Sequence, residues 1–84
     1  MSDHLSLYQF DACPFCARVR AAIKDLGIDV EIRDTQRDPE RHRELVEGGG
    51  RGMVPCLRID SNGHTDWLYE SEDIIAYLRR RFGS

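Results

Sequence analysis

An α/β fold in the order β-α-β-α-β-β-α, with a four-stranded mixed sheet flanked by helices, is what this 84-residue sequence predicts. Three observations predict it. An apolar stretch, Leu5-Ser6-Leu7-Tyr8-Gln9-Phe10, leads through a two-residue turn into Cys13-Pro14-Phe15-Cys16 and a helical repeat. One helix later, Asp29-Val30-Glu31-Ile32-Arg33 alternates polar and apolar residues as a strand does. Further on, two strand-like runs flank Ser61-Asn62-Gly63, a tight-hairpin signal. The first two form a β-α-β unit, which implies a parallel pair. The hairpin adds an antiparallel pair.

Each element has a local cause. In residues 4–10, Leu5 and Leu7 share one face while Tyr8 and Phe10 share the other, so the strand is expected to be central and buried on both sides. Pro14 suits the first position of a helix from Pro14 to about Leu26, because its missing N–H would have no partner there. Phe15, Val19, Ala22, Ile23 and Leu26 form the apolar stripe of that helix, and Gly27 ends it. Asp38 and Pro39 open a second helix, Glu40 to Glu47, whose only apolar residues are Leu45 and Val46, so it should be short and exposed. Gly48-Gly49-Gly50 is read as its stop. A phosphate-binding loop would instead run on to Lys-Ser or Lys-Thr and open a helix. Cys56 to Ile59 and His64 to Tyr69 are the hairpin strands. Ser71 is expected to cap the last helix, with Glu72 and Asp73 in its first turn and Ile74, Ile75, Leu78 and Phe82 as its buried stripe. Arg79-Arg80-Arg81 reads as a solvated helix end.

Composition narrows the function classes. The chain is 40% hydrophobic and 32% charged with a net charge of −3, which offers no basic footprint for nucleic acid. No apolar run approaches the roughly 20 residues that span a bilayer, and the N-terminus lacks the basic start and apolar core of a secretory signal. A single domain covering residues 1–84, monomeric, cytoplasmic and off the membrane, is the expectation. Three cysteines are an odd count for a disulfide-stapled secreted domain and fit a reducing compartment.

Cys13 and Cys16 therefore read as chemistry. A CxxC pair where a strand enters a helix is the mark of a thioredoxin-like redox site. The thiolate is the attacking species, and a helix N-terminus favours it. Cys13, just before the helix, is expected to be the exposed, activated sulfur, and Cys16, one turn in, the buried second thiol that resolves a mixed disulfide. A structural zinc site would want four ligands. One cysteine pair, Cys56 and the scattered His4, His42 and His64 do not supply them, so no metal is expected. Cys56 is read as a small buried hydrophobe, or as a thiol near the site because it follows Pro55.

Over essentially the whole chain these features resemble the glutaredoxins and the thioredoxin-like N-terminal domain of glutathione transferases. Cys13-Pro14-Phe15-Cys16 is similar to the glutaredoxin dithiol motif. Val54-Pro55 before the third strand is similar in both families, and Glu70-Ser71 before the last helix is similar to the transferase pattern. The resemblance implies a thioredoxin-like fold, a cis peptide at Pro55 and glutathione as co-substrate. Val54 would meet the cysteinyl unit through its backbone, Ser71 the γ-glutamyl carboxylate and Glu70 its ammonium. Phe15 would wall the groove, and Arg51 or Arg37 would meet the glycine carboxylate.

There are departures. Asp11-Ala12 stands where many glutaredoxins carry a basic residue, and Met53 replaces the usual Thr before Val-Pro. The last helix is transferase-like, yet an all-helical second domain is not expected. The implied activity is a glutathione-dependent thiol–disulfide oxidoreductase acting on protein disulfides or glutathionylated proteins. The alternative is a glutathione-binding module with little turnover.

Overall fold

Alternation along the first strand sends Leu5 and Leu7 to one face of the sheet and Tyr8 to the other. In the computed structural model, which describes residues 3–83, both faces are covered. β1 (His4–Gln9) is buried from Leu5 onward. It lies between β2 (Glu31–Asp34), which it pairs in parallel, and β3 (Cys56–Ser61), which it pairs antiparallel. β4 (His64–Tyr69) pairs antiparallel with β3, so the sheet order is β2-β1-β3-β4. This is the expected four-stranded mixed sheet. Asn62 and Gly63 close the hairpin with φ of 52° and 79°, values that a tight turn with both central residues left-handed requires.

α1 (Pro14–Leu26) and α3 (Ser71–Phe82) cover one face, where Leu5, Leu7, Val19, Leu57, Ile59, Ile74 and Leu78 form the larger core cluster. α2 (Pro39–Gly49) covers the other, where Leu45 packs with Tyr8, Cys56 and Tyr69. Asp38 caps α2 by accepting the Glu40 N–H, with Pro39 behind it, as the sequence implies. The buried Tyr8 hydroxyl donates to Glu44 on α2 and accepts from Arg33 on β2. A mostly polar helix can cover this face because the buried phenol has charged partners.

Five expectations need correction. β2 begins at Glu31 rather than Asp29, and Ile32 is exposed, because β2 is an edge strand with β1 alone beside it. β3 runs two residues beyond Ile59, to Ser61, because the turn takes only Asn62 and Gly63. α2 continues through Gly48 and Gly49, and Gly50, at φ 89°, is the left-handed cap. Ser71 is the first residue of α3 rather than its N-cap; Glu70 holds that place at φ 72° and makes no side-chain capping bond. Phe15 and Phe82 lie outside the buried stripes of their helices and are exposed. Phe15 faces a surface cleft, and Phe82 sits in the last turn of α3, beyond the edge of the core.

Candidate functional site

Strand register decides which loops meet. Tyr8, near the end of β1, is opposite Cys56 at the start of β3, and Cys56 is opposite Tyr69 at the end of β4. The turn after β1, the approach to β3 and the exit from β4 therefore converge at one end of the sheet. These are the stretches that carry Cys13, Val54-Pro55 and Glu70-Ser71.

Cys13 is the N-cap of α1, and its Sγ accepts the backbone N–H of Cys16 at 3.3 Å. Pro14 occupies the first helical position, so no N–H is wasted there. Val54-Pro55 is a cis peptide. Beside them lies a cleft of about 510 Å³ lined by Phe15, Val54, Pro55, Glu70 and Ser71. Five of the nine residues assigned from sequence thus share one cavity. Arg18, Met53, Tyr69, Glu72 and Asp73 complete its lining. Sequence reasoning missed Tyr69, although an aromatic residue directly before Glu70-Ser71 was a usable signal. Its hydroxyl donates to the Arg51 carbonyl at 2.7 Å and accepts the Arg51 N–H at 3.3 Å. Those bonds tie the loop that carries Met53 and Val54 to the end of β4.

The other assigned residues fall elsewhere. Arg51 does not line the cleft; its guanidinium lies 4.4 Å above the Tyr69 ring. Arg37 is drawn to Asp11 at 2.8 Å. That pair is largely exposed, so it offsets the Asp11 charge near the cysteines only weakly. Cys13 does not line the cleft and is only 6% exposed, against the expectation of an open sulfur. As N-cap its side chain folds back over the first turn of α1. His4 pairs with Glu31 and His64 with Asp66, each away from the cysteines in the fold.

All three cysteines are free thiols. Burial, reinforced by the contact with Cys13, pushes the Cys16 thiol from an ordinary 9.0 up to about 12. Burial likewise pushes Cys56 up to about 12. Cys56 is fully buried against Tyr8 and Tyr69, so it behaves as a small core residue.

These raised values set a pH dependence. Both groups are neutral below about pH 9 in the folded and unfolded chain alike. Above that the unfolded chain ionises first, so stability is lost as pH rises toward 12. Each thiol should cost about 1 kcal/mol between pH 8 and pH 10. Urea midpoints at the two pH values should therefore fall less in Cys56→Ala than in the parent chain. An equal fall in both would remove Cys56 from the account.

Residues 7–84 match the family model described as glutathione S-transferase, N-terminal domain. Prostaglandin E synthase 2 of Mus musculus is 31% identical over 78 residues, covering 93% of this chain. The chain spans 20% of the length of that protein. An epsilon-class glutathione S-transferase from the housefly, Musca domestica, superposes with a TM-score of 0.76 at 26% identity, over 95% of this chain and 36% of that one. A maleylacetoacetate isomerase from Anaeromyxobacter dehalogenans, with GSH bound in its active site, gives a TM-score of 0.76 at 25% identity, over 96% and 38%.

Proposed function

The chain belongs to the glutathione S-transferase N-terminal domain family, and on that footing we propose that it binds glutathione in the cleft between Phe15 and Ser71 and carries out thiol–disulfide exchange through Cys13. One observation carries the reading. Cys13 Sγ accepts an N–H at the start of α1, at the sheet end where α3 begins without a side-chain cap. An uncapped helix N-terminus leaves N–H groups for an anion. The γ-glutamyl carboxylate of glutathione suits that position, held by the Ser71 hydroxyl and backbone, with Glu70 facing the ammonium. Val54 offers its backbone to the cysteinyl unit, and Phe15 walls the groove.

Exchange then runs in two balanced steps. Cys13 thiolate attacks the glutathione sulfur of a mixed disulfide, forming Cys13–S–S–glutathione and expelling the substrate thiolate, which takes up a proton. A second glutathione thiolate attacks the glutathionyl sulfur, releasing glutathione disulfide and restoring Cys13. With a protein disulfide, Cys16 performs the second attack and leaves a Cys13–Cys16 disulfide, which two glutathiones reduce.

A binding module with little turnover is the second reading, and the near-complete burial of Cys13 favours it. Calorimetric titration with glutathione, beside an assay of glutathione release from a glutathionylated peptide, separates the two. Binding with turnover supports exchange, and binding without turnover supports the module. Ser71→Ala should weaken glutathione binding about tenfold, the usual worth of a hydrogen bond to a charged group. Unchanged binding would remove the carboxylate from Ser71.

A further inference from the structure

We propose that the cleft selects, among glutathione mixed disulfides, those whose other half is a basic peptide segment. This rests on the exchange reading above and adds the class of substrate. The starting observation is a charge imbalance within one cavity. Glu70, Glu72 and Asp73 line the cleft, and Arg18 is the one cation among its lining residues. None of the three carboxylates joins a salt bridge among the described residues. The helix dipole accounts for part of this, since acids suit a first turn. Yet the first turn of α1 holds no acid and that of α2 holds one, so α3 exceeds what its neighbours need.

A second observation marks the same place as a ligand site. Ser71 is only 7% exposed, opens into the cleft, and its hydroxyl has no hydrogen-bond partner among the described residues. Glutathione would satisfy Ser71 with its γ-glutamyl carboxylate and Glu70 with its ammonium. Glu72 and Asp73 would remain, joined by the glycine carboxylate of glutathione, against Arg18. The nearby arginines do not restore balance, because Arg37 is held by Asp11 and Arg51 lies over Tyr69, outside the lining. A partner with lysine or arginine beside its cysteine supplies the missing charge. Phe15 and Met53, 56% and 50% exposed on the same cleft, offer apolar surface to the stems of those side chains.

The test uses three substrates: two glutathionylated peptides identical except for Lys or Glu flanking the cysteine, and the mixed disulfide of glutathione with 2-mercaptoethanol. At low ionic strength kcat/KM for the Lys peptide should exceed that for the Glu peptide by at least about tenfold. The ratio should fall toward one at about 1 M salt, where the Debye length is about 3 Å. It should also fall in Glu72→Gln/Asp73→Asn. Turnover of the neutral disulfide with equal kcat/KM for the two peptides would overturn the proposal. Turnover of none of the three would overturn the exchange reading beneath it.

Discussion

Cys13→Ser should lower glutathione release from a glutathionylated peptide by at least about 10³-fold, because a hydroxyl at this position cannot form the mixed disulfide on which both steps depend. Cys16→Ser should keep activity on the same peptide within about tenfold, since free glutathione resolves the intermediate without a second protein thiol. Reduction of a protein disulfide should suffer more in Cys16→Ser, because there the expelled thiol stays tethered and competes. A glutathione-coupled assay checks all three. If Cys16→Ser loses as much on the peptide as Cys13→Ser does, the one-cysteine route is wrong. A chemical check needs no turnover. Cys16 and Cys56 are wholly buried, and burial pushes both thiols up to about 12, whereas Cys13 keeps 6% exposure. Brief alkylation of the folded chain followed by mass spectrometry should therefore find one label, on Cys13. Two or three labels would mean that the buried pair is not protected.

The elements whose causes are local were legible. Pro14 at the head of α1, Gly27 at its end, Asp38-Pro39 before α2 and Asn62-Gly63 between β3 and β4 each act within a few residues, and the structure uses each as expected. The convergence of Cys13, Val54-Pro55 and Glu70-Ser71 was implied by the family resemblance rather than by periodicity, and strand order and register produce it in the structure. What failed depended on side chains distant in sequence. Ser71 has the best capping chemistry near the start of α3, but the chain leaves β4 through Glu70 at a positive φ of 72° and moves the cap one residue earlier. Arg51 looked free to reach a carboxylate, and the Tyr69 ring, 18 residues later in the chain, engages it. Phe15 counted twice in the sequence reading, as core and as groove wall, and its exposure takes it out of the core and puts it on the cleft lining.

Gly48→Ala separates a local cause from a distant one by the sign of its effect. Gly48 lies inside α2, where alanine is preferred to glycine by about 1 kcal/mol, so local propensity alone predicts stabilisation. A methyl group at Gly48, however, would fall 2.7 Å from Cε2 and 2.8 Å from Cη2 of Trp67, far inside the roughly 3.5–4 Å of a comfortable carbon contact. At Gly49 the same group would meet the Tyr69 ring, with Cζ at 3.0 Å and the hydroxyl oxygen closer still. Overpacking of this kind costs about 1–3 kcal/mol, which outweighs the helical gain. Gly48→Ala should therefore lower stability by about 2 kcal/mol in urea denaturation. Trp67→Leu should remove most of that penalty, giving a coupling that a double-mutant cycle reads directly. Stabilisation by Gly48→Ala would mean that Trp67 yields and the glycines serve only to end the helix. The same contact reaches the site. Displacing the end of α2 strains the loop that Tyr69 ties through Arg51, and with it Met53 and Val54 in the cleft wall. A glutathione affinity that falls in Gly48→Ala and recovers in the double variant would show that the glycines set the approach of α2 to β4 and, through it, the shape of the groove.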